Sequence, residues 1–288
     1  MNAAQRTVAP HTAPVAPHTA PVALVTGASR GLGLALAHAL AADGWQLVIT
    51  ARGAAGLAAA EADLAAVTTV VALPGSVVDD DHRARLAEAA ERLGGASLLV
   101  NNAGTLNGAP ASGSEPLPRL ADHPLPDLLE TFEVNALAPI ALTQLVLPQL
   151  RGHAGAVLNI SSDAAAVPYV GWGGYGASKA ALDLATAVLA QEEPELRVWA
   201  VDPGSMRTRM LQEACPGEDL SGEPLPEQVV PVLLGLLRER TPSGRYPAQE
   251  SAQESARGAA EDPTASATLT APAALTAPAA SGSDRGDR

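Results

Sequence analysis

The sequence has almost none of the cysteine that stabilises small secreted domains and forms cysteine-based metal sites. Its 288 residues include one cysteine, Cys215, which excludes an internal disulfide and a cysteine-based metal cluster. Aromatic residues make up only 2%, so a hydrophobic core must be built from Ala, Val and Leu. No run of about eighteen apolar residues occurs, and the sequence therefore predicts no transmembrane helix.

Basic residues are also scarce. Of the 18 basic side chains only Lys179 is a lysine, and the formal net charge is −13. Nucleic acid and anionic membranes are bound through clustered Lys and Arg, so this charge disfavours both as partners. The N-terminus lacks the basic and apolar regions of a signal peptide, which favours a cytoplasmic protein.

Both ends of the chain have a biased composition. Residues 8–21 repeat "VAPHTAP" twice, and residues 248–288 contain "LTAPAALTAPAA" without any aromatic residue. Such composition is typical of disorder, and a flexible tail explains the two repeat histidines better than a metal site. We therefore expect disordered tails at 1–20 and 248–288, one domain over 21–247, and no bound metal.

The central region alternates short apolar runs with amphipathic segments. This alternation predicts βαβ units, and hence one α/β domain with a doubly wound parallel sheet and helices on both faces. Ligands bind such sheets at the carboxyl ends of the strands. The predicted strands are "PVALVTGAS", "WQLVIT", 69–73, "ASLLVNNAG", "AGAVLNISS" and "LRVWAVDPG", and the predicted helices are 31–44, 55–66, 80–93, about 126–150 and 174–191.

A glycine loop follows the first predicted strand. In "TGASRGLG", Gly27, Gly31 and Gly33 stand where a strand turns into a helix. Glycine permits a tight turn and close approach of a diphosphate, and the helix N-terminus offers free N–H groups. Three glycines alone could also form a structural turn, but their place in the first βα unit favours a dinucleotide site.

The second strand ends in "VITAR" and bears on the choice of dinucleotide. An acidic residue there would bind the ribose 2′-hydroxyl of NAD(H), but Ala51 occupies that position and Arg52 follows it. Arg30 lies inside the glycine loop. Two guanidinium groups can form charge-assisted bonds to a 2′-phosphate, which favours NADP(H) over NAD(H). The alternative is that both are solvated surface arginines.

The only lysine lies four residues after a tyrosine in "YGASKAAL". Residues four apart share a helix face, so Tyr175 and Lys179 are expected to project together. A nearby ammonium is expected to lower the pKa of the phenol and let it exchange a proton with a substrate oxygen. The alternative is a surface lysine beside a tyrosine that only packs.

Taken together, these motifs resemble the short-chain dehydrogenase/reductase family, in its shorter branch of roughly 250 residues. "TGASRGLG", "NNAG", "NISS", "YGASK" and "DPGSMRT" occur in the family's order over about residues 20–247. The resemblance implies a Rossmann-type fold and hydride transfer between NADP(H) and a carbonyl or secondary alcohol. It also implies a homodimer or homotetramer and a small-molecule substrate.

The resemblance assigns roles by position. Tyr175 would be the general acid/base, Lys179 its electrostatic partner, Ser162 a hydrogen-bond donor to the substrate oxygen, and Asn135 a holder of a relay water. With the two arginines, the cofactor-binding positions are Gly27, Ser29, Arg30, Gly31, Leu32, Gly33, Arg52, Asn102, Ala103, Gly104, Tyr175, Lys179, Pro203, Gly204, Met206 and Thr208.

Some features depart from the family pattern or stay open. Ser76 stands where many relatives carry an aspartate near adenine. The loop at 105–125 could border the substrate pocket or be plain surface, and the segment near 209–226 would govern substrate choice. The rival function is a dinucleotide-binding sensor or scaffold without turnover, which the filled catalytic positions disfavour.

Overall fold

The structure is a computed structural model that describes residues 20–106 and 117–248. The predictions of disorder at 1–20 and 248–288 fall outside the described residues, except at Ala20 and Ala248. Ala248 is buried among the core side chains, so the domain extends at least one residue beyond the predicted boundary.

The described strands form one seven-stranded sheet in which all neighbours are parallel. The order is β3-β2-β1-β4-β5-β6-β7. The strands are β1 Val22–Thr26, β2 Gln46–Ala51, β3 Val70–Pro74, β4 Ala96–Asn101, β5 Ala156–Ile160, β6 Arg197–Asp202 and β7 Gly244–Pro247. The order reverses between β1 and β4, and this switch point opens the crevice where such sheets bind ligands.

Helices cover both faces of the sheet. The helices are α1 Gly31–Ala42, α2 Ala54–Ala65, α3 Asp80–Arg92, α4 Leu125–Phe132, α5 Ala138–Gly152, α6 Gly173–Glu192, α7 Arg209–Ala214 and α8 Pro226–Arg238. Leucines of α1, α2 and α8 pack on one face, and those of α3 and α5 pack on the other. The prediction of a doubly wound, Rossmann-type α/β fold is confirmed.

The core is built mainly from Ala, Val and Leu, as expected from the scarcity of aromatic residues. The largest fully buried side chain is Trp199 on β6. Its indole N–H donates to the carbonyl oxygens of Thr241 and Pro242, at 3.0 and 3.1 Å, so its polar atom is satisfied inside the core.

Three details differ from the predicted elements. The helix expected near 126–150 is divided into α4 and α5 by a π-helical segment, Glu133–Leu137. No element was predicted for α8, which contains Pro231, or for β7, which has only four residues. The apolar pattern of α8 is interrupted by Pro231, and the four residues of β7 are too few to show the alternation of a strand.

No described helix combines the length and the apolar character that crossing a bilayer requires. Within residues 20–106 and 117–248 there is also no group of three or more His, Cys, Asp or Glu side chains suited to holding a metal ion.

Candidate active site

The glycine loop lies between β1 and α1 at the carboxyl edge of the sheet. Gly27 and Gly31 have φ angles of +69° and +57°, a region that side-chain-bearing residues rarely adopt. The first turn of α1 has no side-chain cap and no acidic residue. Its free N–H groups are therefore available to an anion such as a diphosphate.

The side chains of Thr26 and Asn102 connect this loop to the end of β4 by hydrogen bonds. The Thr26 hydroxyl accepts hydrogen bonds from the N–H groups of Asn102 and Ala103, both at 3.0 Å. The Asn102 amide donates to the carbonyl oxygens of Thr26 and Gly27, at 2.9 and 3.2 Å. The role of Thr26 could not be predicted from the sequence, because it depends on the neighbouring position of β4.

Gly33 is enclosed where α1 packs against the loop. A Cβ atom there would lie 2.5 Å from the Gly27 carbonyl oxygen and would also collide with the Asn102 amide. We therefore expect Gly33→Ala to lower the free energy of unfolding by about 1–3 kcal/mol, measured by urea denaturation. The matched control is Gly235→Ala in α8, where a Cβ meets nothing within 4 Å, and which should stabilise by roughly 0.5–1 kcal/mol. Equal effects of the two substitutions would contradict the close packing at Gly33.

Tyr175 and Lys179 lie on one face of α6, close to the ends of β4 and β5. Both are buried, with 8% and 4% of their surfaces exposed. The Lys179 Nζ atom is 5.6 Å from the centroid of the Tyr175 ring and donates to the Ile160 carbonyl oxygen at 2.7 Å. A Cβ on Gly104 would come within 3.8 Å of Nζ, so Gly104 lies next to the lysine.

The expectation that Lys179 lowers the pKa of Tyr175 is wrong for this structure. Burial raises the pKa of Tyr175 well above its usual value, and the charges of Asp202 and Asp163 raise it further. A hydrogen bond with the Ser162 hydroxyl opposes this shift without reversing it. Burial also lowers the pKa of Lys179, to about 8, because the ammonium has lost its hydration.

Ser162 lies at the end of β5, beside the Tyr175 hydroxyl. Its Oγ atom donates to Asp163 Oδ1 at 3.0 Å and accepts from the Ala164 N–H at 3.2 Å. The other Asp163 oxygen accepts from the Tyr169 hydroxyl at 2.7 Å. Of the two neighbouring serines, Ser162 is the one whose hydroxyl bonds to Tyr175. Ser161 is buried.

Asn135 lies in the π-helical segment and is 1% exposed. Its Oδ1 atom accepts from the Thr105 N–H, and its Nδ2 atom donates to the Thr105 carbonyl oxygen, both at 2.9 Å. Nδ2 also donates to the Ser178 hydroxyl at 3.0 Å. Asn135 therefore joins the chain after β4 to α6, next to Gly104 and Lys179.

The glycine loop, the Tyr175–Lys179 pair and Ser162 thus meet at the crevice of a parallel sheet. The sequence profile of the family described as "short chain dehydrogenase" matches residues 21–219. The chain belongs to the short-chain dehydrogenase/reductase family. This finding confirms the resemblance drawn from the motifs.

Relatives in this family carry several activities. L-fucose dehydrogenase of Oryctolagus cuniculus is 32% identical over 192 residues, which are 66% of this chain and 64% of that protein. Serine 3-dehydrogenase of Rhizobium radiobacter is 31% identical over 212 residues, covering 73% of this chain and 81% of the relative. An alcohol dehydrogenase from the archaeon Thermococcus sibiricus, solved with 5-hydroxy-NADP, superposes with a TM-score of 0.70 at 26% identity, covering 79% of this chain and 95% of that one.

The family's cofactor is a nicotinamide dinucleotide, and the crevice of this dehydrogenase/reductase fits one. After β6 the chain turns at Gly204, with φ +71°, and the Gly204 N–H donates to Asp202 Oδ1 at 2.9 Å. Thr208 then caps α7 by accepting from the Leu211 N–H. A Cβ on Gly31 would lie 3.8 Å from the Thr208 methyl group, so the end of this turn lies next to the glycine loop.

Three arginines follow strands at the carboxyl edge of the sheet: Arg30 after β1, Arg52 after β2 and Arg207 after β6. Arg30 and Arg52 are exposed, and among the described residues neither pairs with a carboxylate. Arg207, which the sequence analysis missed, donates to the carbonyl oxygens of Leu220, Ser221 and Glu223. It therefore fixes the segment after the 203–208 turn, where substrate choice was expected to reside.

Proposed function

We propose that this short-chain dehydrogenase/reductase is an NADP(H)-preferring oxidoreductase that interconverts a small carbonyl compound and a secondary alcohol. The observation that carries the proposal is the meeting of the Tyr175 hydroxyl, the Ser162 hydroxyl and the buried Lys179 ammonium at the crevice. When bound, the dinucleotide supplies or accepts the hydride at the substrate carbon.

In the direction of carbonyl reduction, Tyr175 would act as the proton donor. Because its pKa is raised by burial, the phenol is fully protonated near neutral pH and can donate its proton to the substrate oxygen. Once its hydroxyl hydrogen turns from Asp163 Oδ1 to the substrate, Ser162 would donate a second hydrogen bond to the same oxygen and stabilise its developing negative charge. The Lys179 ammonium, held by the Ile160 carbonyl oxygen, would stabilise the phenolate that remains.

The preference for NADP(H) rests on Arg30 and Arg52. Arg30 precedes α1, Arg52 follows β2, and no acidic side chain stands at position 51 to bind a free 2′-hydroxyl. Two guanidinium groups that pair with no carboxylate in the part of the chain that the structure describes would provide a local positive site for a 2′-phosphate at this edge of an acidic chain.

We expect Arg30→Ala and Arg52→Ala each to raise the KM for NADPH roughly 10- to 100-fold, because each removes a charge-assisted hydrogen bond. The KM for NADH should change less than about threefold. The control is Arg92→Ala at the far end of α3, whose guanidinium pairs with Glu88. Steady-state assays with both cofactors test this, and a wild-type protein that uses NADH as efficiently as NADPH would refute the preference.

We also propose that the protein works in the cytoplasm as a homodimer or homotetramer. Leu184 and Val188 on α6 are 68% and 47% exposed, and Leu129 on α4 is 57% exposed. Exposed apolar side chains of this kind favour burial against another copy. Sedimentation at micromolar concentration would show a single 29.0 kDa species if this part of the proposal is wrong.

A further inference from the structure

Arg245 lies on β7, beyond the residues that the family profile matches. Its guanidinium contacts three other elements. Nε donates to Asp183 Oδ2 on α6 at 2.8 Å, and Nη2 donates to the Ser162 carbonyl oxygen at 2.9 Å. Nη2 is also 3.8 Å from Asp202 Oδ2 at the end of β6.

Each of these contacts leads directly to a group of the proposed site. Ser162 is itself the proposed donor to the substrate oxygen. Asp183 follows Lys179 by one turn of α6, and its charge raises the pKa of that lysine. Asp202 uses its other oxygen to hold the Gly204 N–H, at the turn whose end lies next to the glycine loop. The Arg245 side chain thus connects Ser162 at the end of β5, helix α6 with Tyr175 and Lys179, and the turn at Gly204.

We propose that Arg245 is a positioning residue that sets both the geometry and the charge of the reaction site. This inference rests on the proposed function. The planar guanidinium can bond Asp183 and the Ser162 backbone at once, which a lysine ammonium on its flexible stem cannot reproduce with the same geometry. The side chains it positions are those of Ser162, Tyr175 and Lys179.

The charge balance around Lys179 and Tyr175 supports this role. Asp183 acts on Lys179, while Asp202 and Asp163 act on Tyr175, and all three carboxylates raise the pKa of the group they face. Arg245 is the cation that pairs with Asp183 and Asp202. Without it, both carboxylates would act unopposed, and the pKa values of Lys179 and Tyr175 would rise further.

The test compares Arg245→Met and Arg245→Lys with the wild type. We expect Arg245→Met to lower kcat roughly 10- to 100-fold while the KM for NADPH changes less than about threefold. Arg245→Lys should recover part of the lost kcat, because it restores the positive charge but not the planar guanidinium that bonds Asp183 and the Ser162 carbonyl oxygen at once. The control is Arg238→Met, which breaks a comparable ion pair with Asp43 between α8 and α1 and should leave kcat unchanged.

A second measurement does not depend on turnover. Because Lys179 is the only lysine, protein labelled with 13C-lysine gives one side-chain signal that can be titrated without assignment. Its midpoint should lie near pH 8 in the wild type and be higher in Arg245→Met. Adding Asp183→Asn to Arg245→Met should bring the midpoint back down, whereas simple exposure of the lysine would leave it high.

These measurements separate failure of the inference from failure of the proposed function. A kcat within twofold of the wild type in Arg245→Met overturns the inference. So does an unshifted lysine midpoint, or a raised midpoint that Asp183→Asn does not lower. If the wild type shows no turnover, the proposed function fails, and the lysine titration alone still decides whether Arg245 controls the charge at the site.

Discussion

Replacing Tyr175 by phenylalanine is expected to lower kcat for carbonyl reduction by roughly 10²- to 10⁴-fold, because no other group takes its place as proton donor. The substitution removes one buried oxygen. The ring remains packed against Trp172, with 5.7 Å between the two ring centroids. NADPH binding, followed by fluorescence titration, should change little. The loss should therefore appear in kcat and not in cofactor affinity.

The matched control is Tyr246→Phe, which removes another largely buried hydroxyl from the same chain. Tyr246 lies on β7, and its hydroxyl donates to the Pro242 carbonyl oxygen at 2.8 Å and not to Ser162. We expect kcat to stay near the wild-type value in this variant. Undiminished turnover in Tyr175→Phe would refute the proton-transfer role.

The second large effect concerns the only lysine. Lys179→Arg keeps the positive charge, yet we expect kcat to fall roughly 10²- to 10³-fold. The ammonium fits a closed site beneath the Tyr175 ring, bonded to the Ile160 carbonyl oxygen and close to Gly104. A planar guanidinium is broader and would displace the tyrosine or the strand end.

Lys179→Met separates shape from charge, because it keeps an unbranched side chain and removes the ammonium. Stopped-flow and steady-state assays of both variants, with the melting temperature as a check on folding, provide the measurement. We expect both variants to be severely impaired. An arginine variant close to wild type, beside an inactive methionine variant, would show that charge alone is sufficient at this position.

Much of the site could be predicted from the sequence, because its signals are local. The spacing of Gly27, Gly31 and Gly33 depends on one turn, and the shared face of Tyr175 and Lys179 follows from the helical repeat. The alternation of strands and helices likewise predicted the doubly wound sheet, since both faces of a parallel sheet must be covered.

The parts that could not be predicted depend on contacts between distant residues. Arg245 bonds to Asp183 and Ser162, which lie 62 and 83 positions earlier in the chain. Asn135, in the π-helical segment, forms a reciprocal pair of hydrogen bonds with Thr105, thirty positions earlier. No pattern of neighbouring residues in the sequence indicates such pairings.

The wrong direction for the pKa of Tyr175 has the same origin. Proximity to Lys179 could be inferred from spacing, but the depth to which the phenol is buried is set by the packing of α6 against its neighbours. In this structure the loss of hydration outweighs the charge of a lysine whose own pKa is depressed.

The most direct test of the account is transfer of isotope from NADPH that carries deuterium in both C4 positions, using a panel of ketones and aldehydes and mass spectrometry of the products. The account predicts that a product alcohol carries one deuterium on its carbinol carbon, and that reactions in D₂O with unlabelled cofactor place none there. Tight NADPH binding with no oxidised cofactor and no labelled alcohol across the panel would contradict it and favour a dinucleotide-binding sensor.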